Sequence, residues 1–262
     1  VAHSTSLPAA GKVQLHGEAL FVRAMLHFYL LNIYGDIPYI TTTDYQQNRA
    51  VSRMPAATVY ELIVNDLNES IALLPEEYAT SERVRPNKFA ATALLARVYL
   101  YMGLYAEASN AASAVLNTPM YAWETDLDKV FLKESTTTIW QLIPDASGSA
   151  TLEGALYIFT AGPPPVVGLR EDFVNSFEAN DQRKIHWTAA ITDGTATWYH
   201  AFKYKQKDVG GSSTEYSIVL RLAEQYLIRA EGRARQGELI GAKEDLNVIR
   251  NTAGLPNSNA AT

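Results

Sequence analysis

Apolar side chains recur at helical spacing through much of the chain, and the clearest case lies in residues 85–117. From Leu94 to Tyr101 they follow one another at three- and four-residue steps, which places them on one face of an α-helix. Gly103 can adopt the positive φ that ends a helix, and Ala108 begins a row of small side chains on the inner face of the next helix. We therefore predict a helical hairpin in this segment.

The turn of this hairpin matches a repeat pattern. Gly103, Tyr105 and Ala108 have the Gly-x-Tyr-x-x-Ala spacing of tetratricopeptide-type repeats, and Gly237 and Ala242 have the same Gly-to-Ala separation. A single hairpin of this type cannot bury its own apolar face, so several should stack. The sequence predicts three hairpins, at about residues 15–75, 85–117 and 219–252.

The first hairpin combines a long apolar helix with an amphipathic one. Residues 15–34 are apolar nearly all round, which suits a position inside a helical array, and residues 35–38 break the helix. Thr58 and Glu61 have the spacing of a capping box, which predicts the start of the second helix, and Pro75 closes that helix.

Residues 120–217 lose this periodicity and accumulate Trp, Tyr, Pro and Gly. Within them only residues 138–143 have the pattern of a strand, residues 169–179 predict a short helix, and residues 162–165 predict an extended loop. The predicted fold is mainly α: helical hairpins carrying a long, irregular, loop-rich insertion with short strands. Function in such folds usually resides in the insertion.

Composition narrows the possible partners. The 262 residues carry a formal net charge of -6 with scattered Lys and Arg, which argues against nucleic acid or an anionic membrane as the partner. The chain has no cysteine, so a thiol nucleophile and a thiolate zinc site are excluded. The most apolar stretch, residues 19–33, is too short and too polar to span a bilayer.

Sequence signatures of catalysis, cofactor binding and metal binding are absent. His27 lies on an apolar helix and is interpreted as a core histidine with satisfied hydrogen bonds. Three acidic pairs could supply the two carboxylates of a glycoside hydrolase, but each is interpreted as solvated charge: Glu76 with Glu77, Asp126 with Asp128, and Glu171 with Asp172. From these residues we therefore assign no catalytic residue, no cofactor and no metal ligand.

Aromatic residues of the insertion are the better candidates for function. Flat rings on a rigid loop can stack on sugars or peptides, while nearby polar side chains supply hydrogen bonds. The candidate ligand contacts are Trp187, Trp198 and Tyr199, with Tyr204 and Asp193 in support. Trp140, inside the predicted strand, is interpreted as a core residue.

Taken together, these segments resemble the SusD/RagB family of surface nutrient-binding lipoproteins of Bacteroidetes. Five blocks in order carry the resemblance: EALFVRA at 18–24 with YGDIP at 34–38, the helix at 59–75, ALLARVYL at 93–100, the Phe-Glu-x-x-Asp-x-Arg segment at 177–183, and the last repeat with its AGLP at 253–256. The lipidated N-terminal cysteine, the earliest repeat and the C-terminal block of the family are missing. The chain is therefore expected to be a single SusD-like domain, 1–262, truncated at both ends.

The resemblance implies a non-enzymatic, surface-exposed lipoprotein of the outer membrane that binds oligosaccharides or polysaccharides. It would deliver them to a SusC-like TonB-dependent transporter, and its membrane attachment would be an N-terminal lipid anchor not present in this chain. Glycan contacts in the family lie in variable loops, so none is carried over to a residue here. Two alternatives stay open: a peptide ligand, as in the RagB branch, and a tetratricopeptide-type scaffold that binds another protein and no small ligand.

Overall fold

The structure, a computed structural model, describes residues 4–144, 149–208 and 210–259. Within these ranges the chain is mostly helical, with short strands confined to residues 138–221. The helices are α1 (Ala9–Tyr34), α2 (Tyr45–Asn48), α3 (Ala56–Leu73), α4 (Lys88–Tyr101), α5 (Tyr105–Leu116), α6 (Leu152–Tyr157), α7 (Glu171–Asn175), α8 (Gln182–Trp187), α9 (Leu222–Arg235) and α10 (Leu239–Thr252). The strands are β1 (Thr138–Leu142), β2 (Thr188–Thr192), β3 (Thr197–Ala201) and β4 (Ser217–Arg221).

The long helices stack side by side. Helix α1 packs on α3, α3 on α4, α4 on α5, α5 on α9 and α9 on α10. Helices α5 and α9 are neighbours although more than a hundred residues separate them along the chain, so the intervening segment lies outside the stack. This architecture confirms the predicted mainly helical fold of stacked hairpins with a loop-rich insertion.

The helix starts differ from the predicted ones. Helix α1 begins at Ala9, directly after Pro8, rather than near residue 15. The prediction that Thr58 and Glu61 form a capping box is wrong. The helix concerned, α3, begins two residues before Thr58, at Ala56, and has no side-chain cap from its preceding residue. Asp36 takes that role from the preceding turn: its carboxylate accepts the Ala56 N–H at 2.9 Å.

Only one face of α1 is covered. Phe21 and Phe28 are buried on that face, whereas Leu26 is 52% and Ile33 68% exposed on the other. The prediction of a helix inside the array is therefore wrong for the outer face in the part of the chain that is described. None of the described helices has the length and apolar character needed to cross a membrane.

The core confirms two predictions about single residues. Trp140 is buried in β1, and its ring meets Phe21 of α1 edge to face with 5.0 Å between centroids. His27 is also buried: its Nδ1 lies 2.8 Å from the Arg23 carbonyl, and its Nε2 accepts the Ile40 N–H at 3.1 Å. Because Nε2 is an acceptor, Nδ1 carries the proton, and both ring nitrogens have hydrogen-bond partners within the protein.

Four strands form two antiparallel pairs, β1 with β4 and β2 with β3. The prediction that residues 138–143 form the only strand of the insertion is therefore wrong. Strand β4 also replaces the first residues of the helix predicted from residue 219, because its backbone pairs with β1 and α9 starts only at Leu222. The predicted short helix at 169–179 is present as the shorter α7.

Candidate ligand-binding cleft

The insertion folds around an open cleft of about 780 Å³. Its walls come from α6, α7 and α8 on one side and from the ends of β3 and β4 on the other. This volume lies in the range typical of small-molecule sites. Aromatic and cationic side chains line much of the cleft, among them Tyr157, Phe173, Phe177, Trp187, Lys203 and Arg221.

Three packed rings, Phe131, Trp187 and Tyr204, form the inner wall, and we call them the aromatic cluster. Phe131 meets both other rings edge to face at 5.4 Å. The Trp187 indole N–H donates to the Leu127 carbonyl at 3.0 Å, and the Tyr204 hydroxyl accepts the Ile218 N–H at 2.8 Å. Each polar atom thus has a partner, which fixes the rings in place.

Tyr204 is buried, and burial changes the pKa of its phenol. The side chain is 8% exposed, and removal of water from the phenol raises its pKa to about 12, an effect that the hydrogen bond from the Ile218 N–H partly offsets. Tyr204 is therefore neutral over the physiological pH range and contributes an apolar ring edge to the cleft.

Two cations lie against the aromatic cluster. The Lys203 ammonium nitrogen is 5.6 Å from the centroid of Phe131 and 5.4 Å from that of Trp187, and the Arg221 guanidinium carbon is 5.3 Å from Phe131. Within the described ranges, no carboxylate lies within 4.0 Å of either charge. Both cations are held by rings rather than by counter-ions.

The surroundings weaken the charged form of both cations. Lys203 is exposed to solvent, but the protein atoms that crowd its side chain, followed by repulsion from Arg221 and Arg183, lower its pKa. Dehydration likewise lowers the pKa of Arg221, which Glu224 only partly counteracts. The cleft therefore holds positive charge that the described part of the protein leaves unneutralised.

The acidic side chains of the cleft already have partners. Asp181 pairs with Arg183 at 2.6 Å, and Glu178 pairs with Arg250 at 2.7 Å. Glu153 accepts the Ser217 hydroxyl at 2.7 Å, and this neutral donor leaves the negative charge of Glu153 in the cleft. None of the three carboxylates forms an ion pair with Lys203 or Arg221 in the described ranges.

The rim of the cleft carries accessible rings. Phe173 is 51% and Tyr157 39% exposed, and Phe173 meets Phe177 edge to face at 5.6 Å. Rings exposed in this way keep an apolar face free for stacking.

The structure brings together two of the five candidate contacts. Trp187 and Tyr204 line the cleft, whereas Trp198, Tyr199 and Asp193 do not. Trp198 instead packs against the backbone at Gly162, where an added Cβ would lie 2.0 Å from the indole.

Tyr199 and Asp193 have structural contacts in the β2–β3 hairpin. The Tyr199 carbonyl accepts the Leu169 N–H at 2.7 Å, which attaches the loop before α7 to β3. The Asp193 carboxylate accepts the N–H groups of Thr195 and Ala196 at 2.8 and 2.9 Å, and these bonds lower its pKa to about 2. Asp193 thus stabilises the turn between the two strands.

The residues of the cleft that the sequence-based prediction did not select include Tyr157, Phe173, Lys203 and Arg221. A usable signal existed at residues 202–205, where aromatic and basic residues alternate as Phe-Lys-Tyr-Lys. Phe173 falls in the helix predicted at 169–179, and its exposure depends on packing that the sequence does not display. Arg221 falls in the helix predicted from residue 219, whereas in the structure it ends β4.

At least one member of each acidic pair considered for hydrolysis forms an ion pair. Glu76 pairs with Lys88 at 3.1 Å, Asp128 with Lys205 at 3.0 Å, and Asp172 with Arg170 at 2.6 Å. Across the described ranges, no three His, Asp or Glu side chains cluster in a way that could hold a metal ion.

Comparisons with known proteins match two parts of the chain to SusD-type family models. A family model described as "Starch-binding associating with outer membrane" matches residues 4–100, and the model of the SusD family matches residues 169–262. The chain is 31% identical to SusD-like protein P2 of Formosa agariphila over 82% of its own length. It spans 50% of the length of that relative.

Solved structures share the fold. A SusD-like carbohydrate binding protein from Bacteroides vulgatus superposes with a TM-score of 0.77 at 21% identity, over 98% of this chain and 58% of that one. Surface glycan-binding protein A from Bacteroides thetaiotaomicron superposes with a TM-score of 0.80 at 17% identity, over 98% of this chain and 65% of that one. At these identities the likeness concerns the fold alone.

Proposed function

Because the chain belongs to the SusD/RagB family, we propose that it is a surface glycan-binding protein without catalytic activity and that the cleft of the insertion is its ligand site. The observation that carries the proposal is the composition of that cleft. Accessible rings at Phe173 and Tyr157 stand beside fixed polar groups in a volume of about 780 Å³. Sugars are recognised by this combination, since rings stack on their C–H faces and polar groups pair with their hydroxyls.

The comparisons support the proposal. Structural neighbours with the same fold carry the names carbohydrate binding protein and surface glycan-binding protein. The family model that matches residues 4–100 has a description that refers to starch binding and the outer membrane.

A glycan array with the purified protein tests the proposal directly. For the glycan that binds, Phe173→Ala should weaken affinity by about tenfold, because it removes a stacking surface of the cleft. Tyr45→Ala is the matched control: Tyr45 is 76% exposed on α2, outside the cleft, and its loss should leave affinity unchanged. Absence of binding to every glycan would refute the proposal. Hydrolysis of a bound glycan by the pure protein would refute the non-catalytic part.

A peptide array on the same protein addresses the RagB-type alternative. Binding to peptides, with no binding to glycans, would replace the proposed ligand while keeping the cleft as the site. The scaffold alternative predicts no small ligand at all. It would be supported if a partner protein were captured equally well by the wild type and by Phe173→Ala.

The partner and the location follow from the family and are also proposals. We expect the protein to work as an outer-membrane lipoprotein exposed at the cell surface, handing glycans to a SusC-like TonB-dependent transporter. Affinity purification from detergent-solubilised outer membranes should recover that transporter. Antibody labelling of intact cells should detect the protein, and labelling only after cell rupture would contradict the surface location.

A further inference from the structure

We propose that the cleft selects an acidic saccharide and that Lys203 and Arg221 hold its carboxylate or sulfate group; this inference rests on the glycan-binding function proposed above. Neither the fold nor the aromatic rings alone determine whether the saccharide is acidic or neutral.

The two cations of the cleft lack acidic partners in the described ranges. The chain as a whole carries a net charge of -6, yet this cleft contains two cations with no carboxylate within 4.0 Å in the described ranges. Glu224, the acid that acts most on Arg221, is already paired with Arg97 through a 2.7 Å contact. An exposed Lys203 and a half-buried Arg221, neither paired with a carboxylate in these ranges, offer a site for an external anion.

The two charges lie close to the same ring. Both are within 5.6 Å of the Phe131 ring centre, and Arg221 is near enough to Lys203 to repel its charge. Trp187, Lys203 and Arg221 also line an adjoining inner cavity of about 180 Å³. The cations therefore stand where the open cleft meets this smaller space, which offers room for a charged substituent beyond the sugar ring.

Arg221 and Lys203 have the chemistry needed to bind a carboxylate or a sulfate ester. A guanidinium presents paired N–H donors that match the two oxygens of a carboxylate or of a sulfate ester, and an ammonium adds a point charge. Partial removal of water strengthens such contacts relative to the protein surface. The lowered pKa of Lys203 agrees with this geometry, because an anion beside it would restore the favourable charged state. Phe173 and Tyr157 at the rim would stack on the sugar rings.

Matched pairs of glycans test the inference. The array should contain oligogalacturonate with its carboxyl-reduced neutral form, and a sulfated galactan with its desulfated form. We expect at least one acidic member to bind at least tenfold more tightly than its neutral counterpart, and the pair that responds identifies carboxylate or sulfate. Binding of the acidic member should weaken as salt rises from about 0.05 to about 0.5 M, as expected for screened charges.

Substitutions assign the effect to the two cations. Lys203→Met and Arg221→Met should each weaken binding of the acidic glycan by about tenfold or more, while Lys203→Arg should retain most of it. Lys12→Met and Arg49→Met remove the same charges from α1 and from the loop after α2, and they should leave affinity unchanged. Thermal unfolding of each variant serves as the control that its fold is intact.

The outcomes separate the two proposals. Equal binding of the acidic and neutral members, or full binding by both Met variants, would overturn the inference and leave the glycan-binding function standing. A complete absence of binding to any glycan would overturn the proposed function, and the inference would fail with it.

Discussion

The ammonium nitrogen of Lys203 lies 5.4 Å from the centroid of the Trp187 indole, whose own N–H is fixed by the Leu127 carbonyl at 3.0 Å. The position of the charge in the cleft is therefore set by an anchored ring and not by an acidic partner. A cation over an indole face gains a modest electrostatic attraction while its charge stays available. This arrangement suits ligand recognition better than stabilisation of the fold.

Replacement of Lys203 by Met should leave the free energy of unfolding within about 0.5 kcal/mol of the wild type at pH 7. Since the pKa of Lys203 is lowered in the fold, the unfolded chain binds the proton more tightly. Wild-type stability should therefore rise as pH increases through the lowered pKa towards the ordinary value near 10.4. Urea unfolding between pH 7 and pH 10.5 measures this rise, which Lys203→Met should lack. A loss above about 2 kcal/mol at pH 7 would assign Lys203 a structural role.

Asp66 is the centre of a buried network that joins α1, α3 and the loop after α1. Its carboxylate accepts two N–H groups of Arg23 and the Tyr39 hydroxyl, each at 2.6 Å. Asp66→Asn leaves the Arg23 charge without its partner and should lower the free energy of unfolding by about 3 kcal/mol. The control is Glu61→Gln, an exposed carboxylate on the same helix, which should change it by less than about 0.5 kcal/mol. Equal effects of both substitutions in urea unfolding would contradict the role of the network.

The helical stack could be predicted from the sequence because its signals are local. Apolar steps of three and four residues mark the helices, and a Gly followed five residues later by Ala marks the turns of the second and third hairpins, each of which is complete within about thirty residues. Positive φ at Gly103 and Gly237 agrees with the predicted turns. The start of α3 was predicted wrongly because its cap is not local. The cap comes from Asp36, twenty residues earlier in the chain.

The cleft could not be predicted in this way, because long-range packing builds it. Strand β4 pairs with β1 about eighty residues upstream, and this pairing brings Arg221 to the aromatic cluster. The aromatic content of the insertion pointed to the region that contains the cleft. It could not distinguish Trp198, which packs on Gly162, from Phe173, which is half exposed, because a ring's exposure depends on segments distant in sequence.

The turn between β2 and β3 should show an unusually acidic carboxyl group. Three donors, the N–H groups of Thr195 and Ala196 and the Thr195 hydroxyl, favour the ionised Asp193 and lower its pKa to about 2. The turn therefore keeps this stabilisation above the ordinary pKa near 3.9 and loses it as pH falls through about 2.

NMR titration of the Asp193 side-chain carbon measures this pKa. The amide protons of Thr195 and Ala196 should shift with the same midpoint, and Asp193→Asn should abolish that transition. A midpoint near the ordinary value of about 3.9 would show that the turn does not hold the carboxylate in solution.

Gly232 lets α9 approach α5 closely. A Cβ at this position would lie 2.3 Å from the Ser109 Oγ and 2.8 Å from the Tyr105 carbonyl oxygen, so the two helices would have to separate. Gly232→Ala should lower the free energy of unfolding by about 2 kcal/mol, although alanine favours helix by about 1 kcal/mol over glycine.

Gly11→Ala in α1 is the matched control for this substitution. Its Cβ would meet only Pro8, at 3.5 Å, so helix propensity should act alone and raise stability by up to about 1 kcal/mol. Adding Ser109→Ala to Gly232→Ala should recover only part of the loss, because the Tyr105 carbonyl still obstructs the new methyl group. Urea unfolding of the four variants, including Ser109→Ala alone, gives these differences. A stabilising Gly232→Ala would mean that α5 and α9 are not in close contact at this position in solution.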